Sequence, residues 1–216
     1  NDEVWVFGMA RITVFGQDGK YRRSLVPGLQ YQSATLLDGR LAAVMGAGDR
    51  SAAFLNEDGT VAEAFGTECP EDFFESFKAC RSQQIIPHDE GRCLLLNPIS
   101  GLVWLVDQQG EIVWEKILRE PRRDGAWSLV ATSGGRYAVA AATESRGAGS
   151  TDAWLLGIDD EGEVQWQQLH GGRLWDRPTA VAVTPDGGLA LAGYTTSSGA
   201  GFEDYWVLRL DEHGLK

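Results

Sequence analysis

Apolar runs of about six residues alternate with polar-glycine turns along most of the chain. One series places a run before a turn at Ile12–Phe15 with Asp18-Gly19, Ala52–Leu55 with Asp58-Gly59, and Val103–Val106 with Gly110. It continues at Trp154–Leu156 with Gly162 and at Trp206–Leu208 with Gly214. A second set of turns, Asp38-Gly39, Glu90-Gly91, Gly134-Gly135 and Asp186-Gly187, falls between them. Glycine supplies the positive φ that tight hairpin turns require, so the pattern predicts a series of antiparallel hairpins.

The runs also repeat. At a shift of 52 residues Asp152 falls on Asp204, Trp154 on Trp206, Asp159 on Asp211 and Gly162 on Gly214. The same shift aligns Gly110 with Gly162, Trp114 with Trp166, Asp124 with Asp176, and Thr132 with Thr184. It also aligns Gly147-Ala148-Gly149 with Gly199-Ala200-Gly201, and no gap is needed. In the best copy the inner strand is predicted at Thr179–Thr184, the second at Leu189–Tyr194 and the third at Tyr205–Leu210. The fourth is visible one unit earlier, at Glu163–Leu169. Four short strands joined as a meander describe a propeller blade. One such sheet cannot hide both apolar faces alone, whereas neighbours stacked about an axis can. A parallel β-helix has shorter coils, and a β-sandwich leaves the repeat unexplained.

The expected fold is therefore all-β, a β-propeller of four-stranded antiparallel blades forming a single domain over residues 1–216. Its units fall near 1–28, 29–66, 82–118, 124–170 and 176–216, with a helical insertion at 67–81. The first unit lacks an inner strand and the last lacks a fourth, which gives about five blades with both end blades incomplete. Ragged ends of this kind lead to the expectation of a piece of a longer chain, since open sheet edges are normally covered.

Composition narrows the function classes. Hydrophobic residues make up 43%, which excludes a disordered acidic tail. The net charge of −12 argues against a nucleic-acid surface and against adsorption to anionic lipid. No apolar run approaches the roughly 20 residues that span a bilayer. Cys93 lies in the run Arg92–Leu96 and reads as a small core residue. Cys69 and Cys80 flank Pro70–Ala79, a short predicted helix with proline at its start and acids in its first turn. Spacing leaves a Cys69–Cys80 disulfide and two free thiols both open; a bridge implies an oxidising compartment, and a periplasmic or extracellular location is favoured over the cytoplasm.

The segment from Asp152 to Gly214 resembles bacterial propeller repeats of secreted and multidomain proteins. The likeness rests on Asp152-Ala153-Trp154-Leu155-Leu156-Gly157-Ile158-Asp159, on Thr184-Pro185-Asp186-Gly187-Gly188 and on Ala192-Gly193-Tyr194-Thr195. The first unit, Arg11-Ile12-Thr13-Val14-Phe15-Gly16-Gln17-Asp18-Gly19-Lys20, is similar to an NHL-type blade. The resemblance is good for roughly residues 100–216 and looser before that. It implies a WD40-like fold with recognition roles and brings no catalytic residues, because the matching positions are turn and core residues.

Candidate chemistry is sparse. His88, His170 and His213 are scattered, and neither an H-E-x-x-H, a C-x-x-C nor a G-x-S-x-G motif occurs. No metal and no cofactor are expected. The Gly-Ala-Gly loops with Asp152, Glu203 and Asp204 offer too few carboxylates for calcium. Asp18, Asp58, Asp159, Asp186 and Asp211 belong to turns. Asp124 and Asp176 recur just before inner strands, where a structural bond is favoured over an active-site acid.

The loops entering the inner strands carry a cationic series: Lys78 and Arg81; Arg119, Arg122 and Arg123; Arg173 and Arg177. Trp104, Trp114, Trp154, Trp166 and Trp206 sit at repeat positions and are expected between blades, whereas Trp127 and Trp175 break the pattern. At least one of that pair is expected in the core. The candidate binding set is Arg81, Trp127, Arg122, Arg123, Trp175 and Arg177. The reading is a non-catalytic scaffold for a protein or peptide partner, acidic if it uses the cationic loops, with carbohydrate as a further ligand class. The alternative is a five-bladed-propeller glycoside hydrolase, although the inner strands, with Tyr31, Gln32, Gln83, Gln84 and Trp127, offer few acids.

Overall fold

The computed structural model describes residues 3–8, 11–16, 18–25, 31–37, 40–45, 50–58, 60–68, 84–88, 91–98, 100–107, 109, 111–118, 124–133 and 136–216. Strands and turns dominate, and no α-helix occurs among the described residues. The helix expected at Pro70–Ala79, together with Cys69 and Cys80, lies outside them.

Among the described residues eighteen strands form five sheets, and in each sheet neighbours in space are neighbours in sequence. The first sheet has three strands, β1 (Glu3–Gly8), β2 (Arg11–Gly16) and β3 (Tyr21–Leu25). The second has four, β4 (Tyr31–Leu37), β5 (Arg40–Met45), β6 (Arg50–Leu55) and β7 (Val61–Glu68). The third comprises β8 (Gln84–Pro87), β9 (Cys93–Asn97), β10 (Leu102–Val106) and β11 (Ile112–Ile117). The fourth comprises β12 (Gly125–Ala131), β13 (Tyr137–Thr143), β14 (Asp152–Ile158) and β15 (Val164–His170). The fifth has three strands again, β16 (Asp176–Val183), β17 (Leu189–Thr195) and β18 (Asp204–Leu210). The end sheets thus have the three strands that the repeat predicts.

By contacts the chain divides into two compact units, residues 1–97 with 105–113, and residues 98–104 with 114–216. In the first unit the second sheet is lined by small residues. Ala42, Ala43, Ala52 and Ala53 are fully buried, with Ala43 paired to Ala53 across β5 and β6. Small side chains let a neighbouring sheet approach closely. Phe54 and Phe65 stack beside them at 4.8 Å between ring centroids. The Arg40 guanidinium lies 3.6 Å from the Phe54 ring and pairs with Glu63 at 2.8 Å. That exposed ion pair adds little on its own; the arginine stem covering the ring is the larger effect. Cys93 is buried among leucines, and burial pushes its thiol pKa up to about 12, which makes it unreactive.

In the second unit the fourth and fifth sheets share one apolar cluster. Ala138, Ala140, Ala153 and Leu155 meet Val181, Leu189, Leu191 and Leu210, with Trp166 and Trp206 packed at the margin. Burying each of these leucines contributes about 1.5–3 kcal/mol. The inner strands of the two sheets are joined directly, as the Val181 N–H donates to Ser128 Oγ at 3.2 Å.

The 52-residue period has a physical cause. In the last three sheets the turn after the third strand is closed by an aspartate that accepts two backbone N–H groups. Asp107 takes those of Gln109 and Glu111, Asp159 those of Glu161 and Glu163, and Asp211 those of His213 and Leu215, all at 2.7–3.1 Å. Two glycines in these turns, Gly162 at φ 78° and Gly214 at φ 74°, adopt the left-handed conformation. A tryptophan from the preceding sheet packs against each. A Cβ on Gly162 would sit 2.8 Å from Lys116 Cγ and 3.0 Å from the Trp114 ring, and one on Gly214 would sit 2.8 Å from the Trp166 ring. Trp114 also donates its indole N–H to the Asp160 carbonyl at 2.8 Å. Tryptophan and glycine therefore recur together because one fills the space the other leaves.

This packing separates two glycine substitutions. Gly162→Ala is expected to cost about 2–4 kcal/mol, combining left-handed strain with the tryptophan clash. Gly187→Ala has a similar φ, 87°, but open space, and should cost only about 1–2 kcal/mol. Urea unfolding followed by tryptophan fluorescence measures both, and equal losses would remove the role assigned to the tryptophan contact.

Candidate functional site

The repeated carboxylates define the loops around the inner strands. Asp176, only 4% exposed, accepts the Gly172 N–H at 2.7 Å and the Ser197 hydroxyl at 2.6 Å, and it also accepts from the Thr195 hydroxyl. Asp124, one repeat earlier, accepts the Glu144 N–H at 2.9 Å and the Ser145 hydroxyl at 3.4 Å. Both therefore tie the start of an inner strand to the loop after the second strand. Asp152 and Asp204 do the same for the Gly-Ala-Gly loops. Asp152 accepts the Gly149 N–H at 3.0 Å, and Asp204 accepts those of Ala200 and Gly201 at 2.9 and 3.2 Å. At these loops N–H donors converge on a carboxylate, an arrangement suited to fixing the backbone.

The loop from β15 to β16 is held from both sides. The Leu174 carbonyl accepts the N–H groups of Ser150 and Thr151 at 2.9 and 3.2 Å, and the Thr151 carbonyl accepts that of Asp176 at 2.8 Å. On the other side Trp175 N–H donates to Thr196 Oγ1 at 3.0 Å, and Thr196 N–H donates to the Trp175 carbonyl at 2.7 Å. The backbone of Trp175 is therefore fixed, while its side chain stands 48% exposed. The Arg177 guanidinium lies 4.9 Å from the centroid of that indole, within cation–π range. Arg177 Nε is buried without a hydrogen-bond partner.

Trp127 reaches the surface by a different device. The β12–β13 pairing shifts register between Ala126 and Ser128, leaving Trp127 as the extra residue of a β-bulge, 40% exposed. Bulges of this kind re-aim side chains. The same irregularity occurs at Thr179, between Pro178 and Ala180, and at Gln32, between Tyr31 and Ser33. The expectation that Trp127 or Trp175 enters the core is therefore corrected: both are exposed, one through a bulge and the other through a pinned loop. Of the sequence-derived binding set, Trp127, Trp175 and Arg177 are described, whereas Arg81, Arg122 and Arg123 lie outside the described residues, as do Lys78 and Arg119.

A cleft of about 200 Å³ beside this loop was not foreseen. It is lined by His170, Gly171, Asp176, Ser198, Trp206 and Lys216, among others. His170 is buried with Nε2 2.9 Å from the Gly214 carbonyl. Burial lowers its pKa, the Gly214 bond opposes that shift, and nearby Lys216 reinforces it. Within the repeat Ser198, which lines the cleft, falls at the position of Arg146.

Two consequences are measurable. Asp176→Asn leaves donors facing an amide and is expected to lower stability by about 2–3 kcal/mol in urea unfolding; a loss below half a kcal/mol would mean that the carboxylate does not hold the loop. His170 favours its neutral form in the fold, so the stability it contributes is present above its ordinary pKa of 6.5 and is lost as pH falls through the lowered value. Thermal melts between pH 8 and pH 4 should decline over that window, and His170→Gln should flatten that part of the curve.

No family model and no curated protein matches the sequence. Solved structures do. A protein of unknown function from Bacteroides caccae is similar at 15% identity, covering 99% of this chain and 76% of its own, with a TM-score of 0.66. The Pan2 WD40 domain of Neurospora crassa is similar at 13% identity over 99% of this chain and 60% of its own, with a TM-score of 0.63. A streptogramin B lyase is similar at 16% identity over 88% of this chain and 58% of its own, with a TM-score of 0.58. The chain thus spans less than two thirds of the length of the last two. A WD40 domain and a lyase both stand among these likenesses, so they bear on fold alone. The five sheets are blades of a β-propeller.

Proposed function

We propose that this chain is a non-catalytic binding module that takes a protein or peptide segment on the loops entering its inner strands, around Trp175 and Arg177. The observation that carries the reading is a half-exposed tryptophan on a backbone pinned from both sides, with an arginine stacked against it. Tryptophan and arginine dominate the binding energy of protein interfaces. A loop already fixed before binding loses little conformational entropy when a ligand arrives. Trp127, lifted from β12 by its bulge, offers a second exposed indole in the same unit.

The cationic residues of these loops favour an acidic partner segment on a chain whose net charge is −12, since oppositely charged patches raise the encounter rate. The hydrolase alternative draws less support, because Asp124 and Asp176 are already committed to loop donors.

The test starts from a phage-displayed library of random peptides panned against the protein. Trp175→Ala and Arg177→Ala are each expected to lower the affinity of selected peptides by about tenfold or more. Raising the salt concentration should weaken acidic peptides further on the parent protein than on Arg177→Ala. Selected peptides that bind both variants as tightly as the parent would place recognition elsewhere. Glycoside turnover that disappears in Asp124→Asn or Asp176→Asn would favour the hydrolase instead.

A further inference from the structure

The dipeptide Asp-Gly occurs at Asp18-Gly19, Asp38-Gly39, Asp58-Gly59, Asp124-Gly125 and Asp186-Gly187. Glycine has no side chain, so its backbone nitrogen can approach the preceding aspartate Cγ unhindered. Attack of that nitrogen forms a C–N bond and closes a succinimide ring, and the amide hydrogen and the carboxyl hydroxyl leave together as water. Water then reopens the ring at the aspartate main-chain carbonyl. The chain now runs through the side chain as isoaspartate, with its mass unchanged. Ionisation of the carboxyl opposes the first step, as do bonds that draw it away from the glycine and an N–H already donated elsewhere.

The structure grades these pairs. The Asp186 carboxylate accepts from the Thr184 hydroxyl and from the Arg209 guanidinium, both at 2.6 Å. The Gly187 N–H donates to the Thr184 carbonyl at 2.9 Å. The Thr184 hydroxyl, and then Arg209, hold the Asp186 pKa down from 3.8 to about 2. The Asp124 carboxylate is buried and accepts from Glu144 and Ser145, and Gly125 is fixed in β12 opposite Ala142. One oxygen of Asp58 accepts the Thr60 hydroxyl at 2.6 Å and the Thr60 N–H at 2.9 Å, and both bonds lower its pKa. Asp38-Gly39 lies outside the described residues.

Asp18 differs from the other three. Its carboxylate accepts the Lys20 N–H at 3.1 Å, and the Lys20 and Arg22 cations stand farther off, at 3.7 and 3.6 Å. Exposed ion pairs of that length hold a carboxylate weakly. A side chain that accepts from the N–H two residues on folds back over the intervening peptide. That conformation brings Cγ beside the Gly19 nitrogen, as ring closure requires.

We propose that Asp18-Gly19 is a spontaneous modification site, where Asp18 converts to isoaspartate in the folded chain, while Thr184 and Arg209 shield Asp186-Gly187 from the same reaction. The product adds one backbone carbon to the turn between β2 and β3, beside the Phe15–Tyr21 pair. In the last three sheets the residue before the equivalent glycine is Gln109, Glu161 or His213, so those turns have no such site.

The test incubates the full chain at mildly acidic pH, with and without urea, and then digests it. Isoaspartyl peptides are recognised by shifted retention at unchanged mass. In the folded chain Asp18 should convert more than about tenfold faster than Asp124 or Asp186, and faster than Asp58. In urea all four should convert at comparable rates. Asp18→Glu should abolish the signal from its turn, and Arg209→Ala should raise conversion at Asp186 severalfold. A folded chain in which Asp18 is no faster than Asp58 or Asp186 overturns the proposal. The same ranking in urea also overturns it, by tracing the difference to neighbouring residues instead of the fold. An Arg209→Ala chain whose Asp186 stays as slow as the parent's removes the shielding.

Discussion

The architecture depends on a tryptophan laid against a glycine of the next blade. Trp114 against Gly162 and Trp166 against Gly214 are the same contact made twice, one repeat apart. The large residue needs the space that a missing side chain provides, and the glycine needs its left-handed turn for the hairpin to close. Neither half works alone, so the two recur with one period. The aspartate turns reinforce this arrangement by fixing the loop that presents the glycine.

Because each sheet leans on the next, the apolar cluster of the second unit does not belong to one blade. Leu155 of β14 and Leu189, Leu191 and Leu210 of the fifth sheet share a single interior, and the alanines of β13 keep the sheets close. Polar groups then carry the loops. Asp176 gathers donors from two loops at once, and the peptide unit of Trp175 is bonded on both sides. The surface offered for recognition is therefore a product of buried carboxylates and backbone bonds rather than of free loops.

Much of this was legible in the chain. Turn glycines, aspartate partners and the tryptophan period are local or periodic signals, and they gave the strands, their order and the three-stranded end sheets. The exposure of Trp127 was not legible, because a bulge moves a residue between faces without changing the hydrophobic pattern that surrounds it. The expected burial of at least one of the pair fails at Trp175 for a related reason: the placement of its loop follows from bonds to Thr151 and Thr196, which are distant in sequence. The cleft was not legible, because its lining joins the end of β15, the loops around Asp176 and Ser198, and Trp206, which are separated in sequence.

The bulges at Gln32, Trp127 and Thr179 carry a consequence for how such a protein diversifies. A residue that stands outside the ladder is answerable to no cross-strand partner, so its identity can drift while every pairing around it stays intact. In the fourth and fifth sheets two copies of one blade plan thus display an indole and a hydroxyl at equivalent places. Variation is confined to the spots where it leaves the scaffold undisturbed, and a new specificity can emerge from a single codon.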